Sequence, residues 1–219
     1  MTSYQDERER MVETQIARRG IRDERVLSAM RSVKRHLFID EEAWPWAYAD
    51  GPLRISCGQT ISQPFIVALM TDLLKIEPDH CVLDVGTGSG YQAAVLGELG
   101  AEVHTIERHA DLAKTAEEKL GDLGYQNISV HIGDGTQGLE AFAPFDRILV
   151  AAAAPSVPDP LLDQLAEGGR LVIPVGSRFS QVLEVWSRTG KKFQKKSNIP
   201  VVFVPLIGKD GWRGEKITR

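Results

Sequence analysis

Asp84-Val85-Gly86-Thr87-Gly88-Ser89-Gly90 follows a short β-rich run, Cys81–Val85, and precedes Tyr91–Leu99, a segment of helical composition. A strand, a tight glycine turn and a helix in that order begin a βαβ unit. The pattern continues downstream. Glu102–Ile106 reads as a second strand ending at Glu107, and Leu112–Leu123 as an amphipathic helix. Ile128–Ile132 is a third strand, closing at Gly133-Asp134-Gly135. Phe145–Val150 is a fourth, and Arg170–Val175, after the turn Glu167-Gly168-Gly169, a fifth. Strands that alternate with helices imply crossovers and hence a parallel sheet.

Two further runs, Val182–Trp186 and Ile199–Leu206, have no helix between them and predict an antiparallel end. Upstream, Met11, Ile16, Val26, Leu27 and Met30 are spaced as in amphipathic helices, with Gly20 as a break. An irregular, aromatic stretch over 43–52 leads to an apolar helix from about Pro64 to Lys75. The expected fold is α/β: a Rossmann-like, doubly wound, mostly parallel sheet with an antiparallel C-terminal end and an N-terminal helical extension. Residues 1–79, carrying helices and an active-site loop, are expected to pack on an 80–219 core as one structural domain.

The 219 residues are 42% hydrophobic and 26% charged, the balance of a packed globular chain. No apolar run is long enough to span a bilayer, and the N-terminus has no apolar signal core, so a cytoplasmic location is expected. A net charge of −4 provides no global field for a polyanion, and nucleic acid is not an expected partner. Lys191-Lys192-Phe193-Gln194-Lys195-Lys196 reads as a solvated hairpin turn. Cys57 and Cys81 make no disulfide framework, and the five histidines are scattered without metal-ligand spacing, so no metal is expected.

Glycines at the turn let backbone approach a ligand without a Cβ and tolerate positive φ. That alone suits NAD, FAD or S-adenosylmethionine. The spacing, however, is G-x-G-x-G, with Tyr91 where the dinucleotide fingerprint needs its last glycine. Asp84, just before the turn, repels a pyrophosphate and suits a ligand with an amino group and a sulfonium. Glu107 is placed to accept from both ribose hydroxyls, and Asp134 from an exocyclic amine. Gly86, Gly88, Gly90, Arg108 and Gly135 complete the expected cofactor contacts. No Gly-Lys-Ser/Thr makes a P-loop, and Ser89 lacks the glycines of a nucleophile elbow.

The segment Gly58-Gln59-Thr60-Ile61-Ser62-Gln63-Pro64 closely resembles the signature of the protein-L-isoaspartate (D-aspartate) O-methyltransferase family. Asp50-Gly51-Pro52-Leu53, Val85 to Gln92, Thr105-Ile106-Glu107-Arg108 and Gly133-Asp134-Gly135 fit the same family in order, as do Ala152-Ala153-Ala154-Pro155, 168–176 and Phe203-Val204-Pro205-Leu206. The resemblance implies methyl transfer from S-adenosyl-L-methionine, leaving S-adenosyl-L-homocysteine, to the α-carboxylate of L-isoaspartyl residues, with D-aspartyl residues as a further acceptor class. The partners it implies are damaged proteins and peptides, handled by a monomer. It makes Ser62 the active-site hydroxyl and puts Gln59, Thr60 and Ile61 against the cofactor. Read without the family, Ser62 is a helix cap. Relatives differ at Lys34, Cys57 and Ala151; Cys57 and Ala151 are expected to flank the acceptor pocket, and Trp44–Tyr48 to line a peptide groove or join the core. A carboxylate is ionised at neutral pH and needs no general base, and no motif here places one. Two other readings stay open: a class I methyltransferase with a small-molecule or RNA acceptor, and a nucleotide-binding domain without catalysis.

Overall fold

The computed structural model describes residues 3–213. Helix α1 (Tyr4–Met11) continues through a π-helical turn over Val12–Ile16 and a short 3-10 turn to Gly20. There a φ of +101° supplies the left-handed cap that stops it. Helix α2 (Glu24–Ser32) starts at Asp23, whose carboxylate accepts from the Arg25 N–H. A two-residue ladder, β1 (Leu53–Arg54) against β2 (Thr60–Ile61), leads into helix α3 (Pro64–Leu74). Pro64 sits in the first turn, where its missing N–H costs no hydrogen bond.

Then comes the sheet. Strand β3 (Cys81–Val85) leads through the glycine turn into helix α4 (Tyr91–Glu98), and β4 (Glu102–Glu107) into helix α5 (Ala110–Asp122). Next are β5 (Ile128–Ile132), β6 (Phe145–Val150), the short helix α6 (Asp159–Asp163), β7 (Leu165–Gly176), β8 (Gln181–Thr189) and β9 (Lys192–Val201). The order is β5-β4-β3-β6-β7-β8-β9. The first five strands are parallel, and β8 and β9 add antiparallel to β7. The expected α/β sheet with an antiparallel end is what forms.

Both faces of the central strands are covered, which is why these strands read as continuous apolar runs rather than alternating ones. On one face Val82, Val103 and Leu149 join a cluster with α3, α4 and the N-terminal helices, where Met11, Ile16, Val26, Leu27 and Met30 are all buried. On the other, Leu83, Val85, Phe145 and Ile148 pack with Leu161 of α6 and Leu171.

The largest departures from the sequence reading fall on β7 and β9. Strand β7 begins at Leu165, not Arg170. Its register against β6 jumps between Leu165 and Arg170, so Glu167-Gly168-Gly169 is a bulge within the strand, with Gly168 at φ +73°. Strand β9 covers Lys192–Val201, not Ile199–Leu206, so most of the lysine cluster lies in a strand. Its side chains are exposed there because β9 is the sheet's edge. Residues 202–206 instead leave the sheet and cross the end of β6: Ala153 N donates to Val204 O at 2.8 Å and Leu206 N to Ala153 O at 2.7 Å.

From β3 the chain winds outward to β4 and β5, then returns to β6 on the other side. Strand order therefore reverses between β3 and β6, the place where such sheets bind ligands. Gly86 leaves β3 with its N–H on Ile106 O at 2.9 Å, and Ala151 leaves β6 with its N–H on Val85 O at 2.8 Å.

Candidate active site

At the turn, Gly86, Gly88 and Gly90 take φ values of +100°, +53° and +88°, each in the range that favours glycine. Beneath it lies a closed polar chain. Thr105 Oγ1 donates to Asp84 Oδ2 at 2.8 Å, and Thr87 Oγ1 lies 2.7 Å from Thr105 Oγ1. With the Thr105 proton on Asp84, Thr87 is the donor to Thr105. Asp84 is fully buried, and its Oδ1 has no hydrogen-bond partner among the described residues. Burial pushes its carboxyl up to about 7; the Thr105 hydroxyl opposes that, and the Glu107 charge adds to it.

Glu107, at the end of β4, is held from two sides. Its Oε2 accepts from Gly88 N at 3.1 Å and its Oε1 from His109 N at 3.0 Å. Each oxygen keeps a second lone pair, so the carboxylate is oriented and still able to accept two more donors.

These elements wall a concave cavity, the shape in which small-molecule sites are built. Gly86, Gly88, Glu107, Arg108 and Gly135 line it from the sheet side, and Gln59, Thr60, Ile61 and Ser62 from the loop side. The structure thus brings together most residues singled out in the sequence. Three do not reach the wall: Gly90, the N-cap of α4; Asp84, sealed under the turn; and Asp134. Asp134 Oδ1 accepts from Thr136 N at 2.9 Å and from its hydroxyl at 2.7 Å, while Oδ2 accepts from Lys209 N at 2.8 Å. Burial raises its carboxyl, but the Lys209 and Thr136 donors more than offset this and hold it below the usual range. Asp134 therefore pins the C-terminal segment to the end of β5. A Cβ on Gly208 would lie 2.0 Å from its Oδ1, so glycine there is what permits the approach.

A second cavity opens on the far side of the loop. Pro52, Gln63, Ile66, Ser180 and residues 200–204 line it, and it shares Thr60, Ser62, Ala151 and Val204 with the first. Ser62 thus faces both. The residue that caps α3 is Gln63, with no side-chain capping bond, and the Ser62 hydroxyl makes no hydrogen bond to any described residue. The helix-cap reading of Ser62 is not what forms. The loop itself is tied down: Ile55 N donates to Gln59 O at 2.9 Å, and Gln63 Nε2 to Asp50 Oδ1 at 2.6 Å.

Of the expected acceptor-side residues, Ala151 lines both cavities, whereas Cys57 is exposed and lines neither. The Trp44–Tyr48 segment also stays out of both walls: Tyr48 is buried against His36, and Trp44 packs edge-on to Tyr4. Sequence reasoning missed Val204–Leu206 in the wall of the first cavity, because it assigned them to a strand, and Ile207 just beyond that strand. It also missed Val202 in the wall of the second cavity for the same reason.

A family model of protein-L-isoaspartate(D-aspartate) O-methyltransferases matches residues 6–211. The protein-L-isoaspartate O-methyltransferase 1 of Syntrophobacter fumaroxidans is 55% identical over 215 residues, 98% of this chain and 100% of that one. That of Methanoculleus marisnigri is 54% identical over 95% of each chain. Among solved structures, one protein-L-isoaspartate O-methyltransferase superposes with a TM-score of 0.85 at 26% identity, over 93% of this chain and 67% of the other. A Plasmodium falciparum counterpart, solved in complex with S-adenosyl-L-homocysteine, gives 0.78 at 30% identity, over 91% and 98%. With two cavities meeting at a free hydroxyl and relatives matching from end to end, the chain belongs to the protein-L-isoaspartate (D-aspartate) O-methyltransferase family.

Proposed function

We propose that this chain transfers the methyl group of S-adenosylmethionine to the α-carboxylate of L-isoaspartyl residues in damaged proteins, with the cofactor in the first cavity and the acceptor in the second. The observation that carries this is Ser62, an unpartnered hydroxyl in the wall common to both. The methyl ester closes spontaneously to a succinimide, and hydrolysis returns part of the chain to normal aspartate. D-aspartyl residues are a further acceptor class. The enzyme acts as a monomer in the cytoplasm. Among the described residues no helix is long and apolar enough to cross a membrane.

The donor set fits the cofactor. Glu107, already oriented by two backbone N–H groups, would accept from the ribose hydroxyls. The backbone of Gly86 and Gly88 would receive the amino-acid end, with the Asp84 carboxylate beneath favouring a cationic group. Ile106 and Gly135, in the same wall, would take the base, and Gln59, Thr60 and Ile61 would close the opposite side. When bound, S-adenosylmethionine supplies an electrophilic methyl on a sulfonium. The chain's residues have no proton to remove from the acceptor, because a carboxylate is ionised at neutral pH. Their work is placement. The Ser62 hydroxyl donates to one carboxylate oxygen and leaves the other free to face the first cavity, and alignment of this kind carries much of the acceleration in a displacement.

The test pairs an isoaspartyl peptide with its normal aspartyl twin in the presence of labelled S-adenosylmethionine. Label on the isoaspartyl peptide alone is the expected result. Label on neither peptide, with cofactor binding intact, would overturn the assigned acceptor.

A further inference from the structure

Far from the glycine turn, the first residues of β3 and β4 bring together three metal-ligating side chains. Cys81 and Glu102 are register partners, and His104, two residues on, projects from the same face. Cys81 Sγ, a Glu102 carboxylate oxygen and a His104 ring nitrogen all lie within 4.8 Å of one another. His104 Nε2 is 3.5 Å from Glu102 Oε1, while its Nδ1 is hydrogen-bonded to His131 Nε2 at 3.1 Å. The ring is packed against Phe142, centroids 4.3 Å apart, and is 5% exposed. Cys81 is fixed as well, its N–H donating to Asp146 Oδ2 at 2.9 Å.

The hydrogen bond to His131 matters most. The bond fixes the ring with Nε2 facing Glu102; when a cation binds there, Nδ1–H donates to His131 and Nε2 offers its lone pair, which is how a ligating histidine is oriented by a second group. One sulfur, one imidazole nitrogen and one carboxylate oxygen suit a borderline tetrahedral cation; Mg²⁺ and Ca²⁺ prefer oxygen alone. We propose that Cys81, Glu102 and His104 form a zinc site at the amino-terminal ends of β3 and β4, with His131 positioning His104. Coordination releases the thiol proton to solvent, and a water fills the fourth position. The site clips β3 to β4. It lies four residues upstream of Val85 along β3, about 13 Å from the catalytic cavity, so it takes no part in the methyl transfer.

The sequence holds two cysteines, so untagged Cys57→Ser protein presents Cys81 as its single thiol. In that background Co²⁺ is expected to give a thiolate-to-cobalt charge-transfer band, and Zn²⁺ to abolish the band and protect the thiol from alkylation. Adding Cys81→Ser should remove the band. Glu102→Gln, at an exposed position that tolerates change, should weaken cobalt binding more than His131→Ala, which should cost about tenfold. Zinc should also raise the melting temperature of the Cys57→Ser protein and leave that of Cys57→Ser/Cys81→Ser unchanged. No charge-transfer band in folded Cys57→Ser protein, or unchanged cobalt affinity in Glu102→Gln, would overturn the site.

Discussion

The two cavities that meet at Ser62 are built by different means. The cofactor side is made by the ends of β3 and β4 and holds its polar groups fast: Glu107 by two N–H groups, Thr87, Thr105 and Asp84 by a chain of hydroxyls. The acceptor side rests on a two-residue ladder and on residues 200–204, where β9 ends and the chain leaves the sheet, and its lining is mostly apolar. A small ligand that never varies rewards fixed donors and acceptors, since they need no reorganisation when it binds. Acceptors drawn from many proteins share one carboxylate and little else. A wall with one free hydroxyl and few other committed polar groups suits them.

The sharpest way to break this contrast is at the junction. Ser62→Ala is expected to lower kcat on the order of 10²-fold, as loss of one aimed hydrogen-bond donor does, while calorimetric affinity for S-adenosylhomocysteine stays put. An equal loss of both would mean the hydroxyl serves the cofactor side. Glu107→Ala should weaken cofactor binding by roughly 1–3 kcal/mol, through lost charge-assisted hydrogen bonds. Unchanged binding by a folded variant would remove Glu107 from the ribose. Asp134→Ala tests whether an acid outside the wall matters only as an anchor: unfolding free energy should fall by about 1–3 kcal/mol as the Lys209 and Thr136 donors lose their acceptor. A direct adenine contact would instead lower cofactor affinity without lowering stability.

Asp84 should show itself in the pH dependence of unfolding. Its folded carboxyl titrates near 7, above the ordinary carboxylate value, so the folded state binds that proton more tightly than the unfolded chain. The stability this provides is complete below the unfolded pKa and is lost as pH rises toward 7. Denaturant midpoints from pH 4 to 8 should therefore fall more steeply for the parent than for Asp84→Asn. The smallest effect belongs to the acceptor rim. Val202→Ser, at a residue 77% exposed in the second cavity's wall, should raise KM for a protein acceptor by a few fold, since roughly 1 kcal/mol of apolar contact is at stake. Cofactor affinity should not move.

Much of the cofactor side was legible because its residues are local in sequence. A turn between a strand and a helix must carry glycines, and strand ends place acids above it. Cys81–Val85, Ile128–Ile132 and Phe145–Val150 match their strands residue for residue, since each is a short β-rich run bounded by turn formers. What a side chain does once there was less legible. Asp84 and Asp134 stand where a ligand would want an acid, but one is sealed in and the other is occupied by a segment 75 residues away. That segment's path over β6 leaves no period in the sequence, because bonds to Ala153 rather than a strand ladder fix it. The Cys81–Glu102–His104 group is invisible for a related reason: its spacing exists only across two strands.

Strand β9 has a bearing on what this protein meets. It is the last strand of the sheet, and Lys192, Lys195 and Lys196 stand exposed along it. An open strand edge is a template on which other extended chains can add, and charged side chains spaced along it discourage that. A repair enzyme spends its working life among damaged, partly unravelled polypeptides, the very species most ready to stack onto a bare edge. The lysine-studded border opposes that stacking.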